Sequence, residues 1–137
     1  MLKARIFFVV VFGILFALPA SADDAPKCDN QMDQSTMNQC AALDYERADT
    51  ELNIVWKEAK KSAEESDEEY SDDLKGEADA LLKAQRGWIA YRDGQCDLAG
   101  FEARGGSMEP MLVSGCLATM TQARTKELQA FIDGVAQ

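Results

Sequence analysis

Gln85, Arg92 and Arg124 sit on helical stripes that are otherwise apolar, and they are the residues in this chain whose chemistry most needs an account. At roughly 100° per residue, Leu74, Ala78, Leu81, Gln85, Trp88, Ile89, Arg92 and Cys96 share one side of a helix. Val113, Cys116, Leu117, Met120, Arg124, Leu128 and Phe131 share one side of another. An amide and two guanidinium groups turned toward a core must find partners, because burying an unpaired charge is strongly unfavourable. Asp49 and Asn53, on a third periodic segment, are placed to supply them. The simplest reading of Asp49, Asn53, Gln85, Arg92 and Arg124 is a buried network of hydrogen bonds and ion pairs that fixes helix register; the alternative is a binding site lined by them.

Catalysis is hard to build from this inventory. The chain has no histidine and no G-x-S-x-G elbow, so the usual assemblies of nucleophile and base are missing. Its carboxylates are too many for any two to stand out as an acid and base pair. The sequence therefore reads as a binding protein, not an enzyme, and it implies no cofactor.

Four cysteines, Cys28, Cys40, Cys96 and Cys116, carry the remaining chemistry. An even count in a small exported domain implies two disulfides, with three connectivities open. Helix alignment allows all three; Cys28 with Cys40 and Cys96 with Cys116 is the preferred set. A zinc site would need all four thiolates and lacks a close C-x-x-C pair, so no metal is expected.

The compartment follows from the N-terminus. Lys3 and Arg5 precede an apolar run from Ile6 to Leu18, and Ala20-Ser21-Ala22 offers a cleavage site. This reads as a signal peptide over residues 1–22, with a mature domain at 23–137. The run is shorter than the ~18 residues of a membrane span, so no anchor is expected in the mature form. Pro26 and Lys27 before Cys28 do not resemble a lipoprotein signal. The product is expected in a bacterial periplasm or outside the cell. Residues after Ala22 hold 24 acidic and 12 basic side chains, a net charge of −12, which excludes nucleic acid and favours a cationic partner.

Helical period runs almost throughout, with no strand pattern, so the fold expected is all-α: a three-helix antiparallel bundle with an N-terminal arm. Thr36 reads as the cap of a first helix, with Gln39 reaching back, and Ala41, Tyr45, Ala48, Leu52, Trp56 and Ala59 form its stripe. Ser66 to Glu69 reads as a second capping box, placing the turn at 63–68 and a helix from there to Leu98. Gly76, Gly87 and Gly94 weaken that helix. Ser107 reads as the cap of a third helix, Pro110 as part of its first turn and Gly134 as its stop. Aligned on these turns, Asp49, Gln85 and Arg124 share a layer, and Arg92 lies nearer Asp44, Tyr45 and Leu117; a shift of a few residues brings Arg92 to Asp49. The acidic run Glu64 to Asp73 becomes a solvated hairpin tip without the pattern of a calcium loop.

These residues in order resemble a known family. Cys40, Ala48-Asp49-x-Glu51-Leu52-Asn53-x-x-Trp56, Gln85-Arg86-x-Trp88-Ile89-x-Tyr91-Arg92-Asp93-x-x-Cys96, Gly105-Gly106-Ser107, Cys116, Thr121, Arg124 and Leu128 are similar to the pattern of LprI-type lysozyme inhibitors, across nearly the whole mature domain. Trp56 and Gly87 depart from it without changing the polarity of the motif. The resemblance implies a protein partner, lysozyme, whose cleft an exposed element would occlude. Arg104, Gly105, Gly106 and Ser107 are the nominated element, since a guanidinium and a hydroxyl complement catalytic carboxylates where a run of glutamates does not. The alternative is a non-inhibitory envelope module that binds another envelope protein, peptidoglycan or a cationic peptide. The sequence leaves the oligomeric state open.

Overall fold

A computed structural model describes residues 26–29 and 33–134; the signal peptide read at 1–22 lies outside them. Three α-helices follow one another, α1 (Gln34–Glu69), α2 (Glu77–Gly100) and α3 (Glu109–Ile132), with a 3₁₀ turn at Phe101–Ala103. No strand occurs among the described residues, as the uniform helical period requires. The bundle is antiparallel in sequence order. α1, 36 residues long and so about 54 Å from end to end, packs more extensively on α3 than on α2.

Small side chains permit that contact. Ala48, Ala59, Ala63 and Ala118 are buried where larger residues would hold the helices apart. Leu52, Val55, Ala59, Ala63, Leu81 and Leu128 form the apolar core, with Trp56, Trp88 and Phe131 packed around it. Cys28 is bonded to Cys40 and Cys96 to Cys116, which is the preferred connectivity. The first bridge ties the N-terminal arm to α1 and the second ties α2 to α3.

Helix boundaries depart from the local signals in three places. The cap of α1 is Asp33, whose Oδ1 accepts from the Thr36 backbone N–H at 2.8 Å, so Thr36 lies inside the first turn. Ser66 to Glu69 does not open a helix but closes α1, and the reversal falls at 70–76. Asp67 nevertheless caps a helix. Its carboxylate reaches across the reversal and accepts the backbone N–H groups of Gly76, Glu77 and Ala78 at 2.8, 2.9 and 3.1 Å, three of the donors that a helix start leaves without partners. Gly76 makes this possible with φ 137°, a conformation that residues with a Cβ avoid. Ser107, third, is not the cap of α3: Met108 is, without a side-chain bond, and Pro110 lies in the first turn as expected. Gly134 takes a left-handed conformation (φ 68°) just past the end of α3.

The later start of α2 corrects its stripe. Leu74 lies in the reversal and Ile89 on α2, and both are exposed, whereas Leu81, Gln85, Arg92 and Cys96 are buried.

Candidate functional site

Arg92 is the centre of the polar cluster and is only 8% exposed. Its Nε donates to Asp93 Oδ1 at 2.9 Å and its Nη2 lies 2.8 Å from the same oxygen. Nη1 donates to Thr121 Oγ1 at 3.4 Å and stands 3.9 Å from Asp49 Oδ1. Asn53, expected in a buried network, is instead exposed on α1 beside a half-buried Asp49, and its Nδ2 donates to both the backbone oxygen and Oδ2 of Asp49. The guanidinium also lies over the rings of Trp88 and Tyr45, 5.0 and 5.6 Å from their centroids, a favourable placement for a cation. α1, α2 and α3 thus each contribute a residue around one charge.

Arg124 forms a second group. Its Nε donates to Gln85 Oε1 at 3.0 Å and its Nη1 to Glu127 Oε2 at 2.8 Å. Its guanidinium is 6.0 Å from the Trp88 ring, so Trp88 stands between the two arginines and joins the groups.

Asp49 therefore belongs with Arg92, and the expected layer of Asp49, Gln85 and Arg124 is corrected by the later reversal. Asp44 pairs with Arg47 on the outside of α1, not with Arg92. Asp93, the nearest partner of Arg92, escaped a reading built on helix faces because it is the next residue in sequence. Its position is about 100° round the helix from Arg92, and its carboxylate folds back alongside the guanidinium. Every buried side-chain nitrogen or oxygen among the described residues has a hydrogen-bond partner. The donors of both arginines are directed at neighbours within the cluster.

Arg104 to Ser107 is a different kind of feature, exposed at all four positions. The Arg104 guanidinium stacks on Phe101 at 4.5 Å and pairs with Glu109 at 2.9 Å and Asp97 at 3.7 Å. Glu109 holds the loop twice, since its Oε2 also accepts the Gly105 N–H at 2.7 Å. Gly105 has φ 76°, and the Gly106 N–H donates to the Ala103 carbonyl at 2.8 Å. Asn38 of α1 donates to the Ser107 carbonyl at 2.9 Å. The loop is exposed yet pinned at both ends. Glu109 was not singled out in the sequence, because its role depends on a chain reversal that places it behind the glycines.

The acidic tip is partly engaged in local pairs. Lys60 and Lys61 lie 3.5 and 3.4 Å from Glu64 and Glu65, Lys75 pairs with Asp72 at 2.8 Å, and Asp67 serves α2. Hydrogen bonds from the Gly76, Glu77 and Ala78 backbone hold the Asp67 carboxyl below its ordinary value. Among the described residues no group of histidine, cysteine, aspartate and glutamate is arranged to hold a metal ion. No helix among them is long and apolar enough to cross a membrane.

Residues 27–128 match the family model described as Lysozyme inhibitor LprI. An uncharacterized protein of Rhizobium meliloti (strain 1021) is 50% identical over 119 residues, covering 84% of this chain and 86% of that protein. No solved structure matches the chain.

Proposed function

The chain belongs to the LprI family of lysozyme inhibitors, and from that premise we propose that it is exported, binds a basic lysozyme and blocks the enzyme's cleft. The match over residues 27–128 carries this reading, since it takes in the arginine cluster, the pinned loop and all four cysteines. Two disulfides agree with an extracytoplasmic setting. Mature net charge of −12 would speed encounter with a cationic enzyme, and that acceleration falls as salt is raised.

In this reading Arg104 to Ser107 is the blocking element and the arginine cluster is its scaffold. The loop offers a guanidinium, two glycines that let a second surface approach the backbone, and a hydroxyl. Pinning by Glu109 and Asn38 means that little conformational freedom is lost on binding. Arg104 would exchange or share its pairing with Asp97 and Glu109 for the carboxylates of the cleft.

Adding the purified exported protein to lysozyme acting on cell walls tests this. Turnover should fall as the protein approaches equimolar with the enzyme at low salt. Arg104→Ala should weaken inhibition by about tenfold, the effect of one charge-assisted contact. Unchanged turnover at a large molar excess removes the proposal. Equal inhibition by the Arg104→Ala protein and an unrelated polyanion would reduce it to non-specific charge.

A further inference from the structure

The outer face of α1 carries a groove that neither the arginine cluster nor the loop uses. Its volume is about 750 Å³, and the arm at Pro26 and Cys28 forms one wall while Leu43, Thr50 and Ile54 form the floor. Leu43 and Ile54 are 36% and 56% exposed and lie eleven positions apart, three turns and about 16 Å along the same helix face. That face is opposite the one that buries Ala48, Leu52 and Ala59.

Charge selects the occupant. Glu46 and Glu51 also line the groove, one on each side of the Leu43–Ile54 line, and neither makes an ion pair among the described residues. Arg47, also in the groove, pairs with Asp44 on the same helix. An apolar floor between free carboxylates complements a helix with one apolar face and lysine or arginine on its flanks. The same carboxylates repel an anionic membrane surface. We propose that this groove is a docking site for a cationic amphipathic helical peptide, separate from the loop assigned to lysozyme. The Cys28–Cys40 bridge would then hold one wall of the site in place.

Calorimetric titration of the exported, oxidised protein with a leucine–lysine amphipathic helix of about 15 residues tests this. The wild type should bind it, and bind a scrambled peptide of equal composition at least about tenfold more weakly. Ile54→Asn and the Glu46→Gln/Glu51→Gln pair should each cost about tenfold in affinity. Both changes lie on an exposed face, so circular dichroism should be unaltered, and the Ile54→Asn protein, whose charge is unchanged, should inhibit lysozyme as the wild type does. The Glu68→Gln/Glu69→Gln pair, which removes the same charge from the hairpin tip, should leave affinity unchanged. Equal binding of the scrambled peptide, or an equal loss from the tip pair, overturns the proposal in favour of a bare polyanion. No binding by the wild type overturns it too, whether the groove is empty or filled by another part of the chain or a second copy.

Discussion

At the scale of single residues, the cost of breaking the Arg92 cluster should depend on which partner is removed. Asp49 has a side chain 43% exposed, and at 3.9 Å it is the most distant of the charged groups around Arg92. Without it the guanidinium keeps Asp93, Thr121 and the two aromatic rings. Asp49→Ala should therefore cost about 1 kcal/mol. Arg92→Ala removes a long, buried side chain from between Trp88 and Tyr45, and should cost about 3 kcal/mol or more through lost packing and cation–π contact. Urea denaturation of the two variants checks the order, and equal losses would mean that the carboxylate is the dominant partner. Gln85, Arg92 and Arg124 were legible in the sequence because polar residues on an apolar stripe break its period. Their partners were harder to assign. Whether Asp49 meets Arg92 or Arg124 depends on where the chain reverses, and a displacement of a few residues exchanges one arginine for the other.

At the scale of elements, glycines and caps decide how firmly α2 is held. Gly87 and Gly94 face open space, with nothing within 4 Å of an added Cβ, while a Cβ on Gly100 would meet Val113 Cγ2 at 2.7 Å. Gly87→Ala should thus stabilise the protein by about 0.5–1 kcal/mol. Gly100→Ala should destabilise it by a similar or larger amount, because the Val113 side chain or α3 itself must shift to admit the methyl group. Thermal melting of both variants gives opposite signs if α2 and α3 meet at Gly100. The start of α2 should also sense pH. The Asp67 carboxyl is held below its ordinary value of 3.8 by the backbone N–H groups it accepts, so its contribution to stability is complete above that value. It declines below pH 3.8 and is lost as pH falls through the lowered folded value. Asp67→Asn should lower the melting midpoint at pH 7 and flatten the acid side of the stability curve; an unchanged acid limb would separate the cap from the acid response. Helix existence and type were readable from period alone. The start of α2 was not, because its cap sits across the reversal on the last turn of another helix, and Ser66 to Glu69 mimics a local capping box.

At the scale of the whole molecule, the covalent ties lie on the helices and the arm, while the loop at 104–107 stays exposed. Two disulfides fasten its outlying parts, the arm to α1 and α2 to α3, and Arg92 meets side chains of all three helices in between. Cysteine spacing alone allowed three connectivities; the bundle chooses one by bringing Cys96 and Cys116 to facing helices and the arm beside Cys40. The pinned loop was nominated from residue type, but Glu109, which pins it, becomes visible only when the chain folds back. Family membership makes blockade of lysozyme the central functional claim, and occupation of the cleft is its most exposed step. Calorimetric titration of lysozyme with the purified, oxidised protein, once with the cleft empty and once with it filled by an N-acetylglucosamine oligosaccharide, tests that step directly. One-to-one binding that disappears when the sugar is present is the result predicted; binding undiminished by the sugar, or no binding to the empty enzyme, would contradict it.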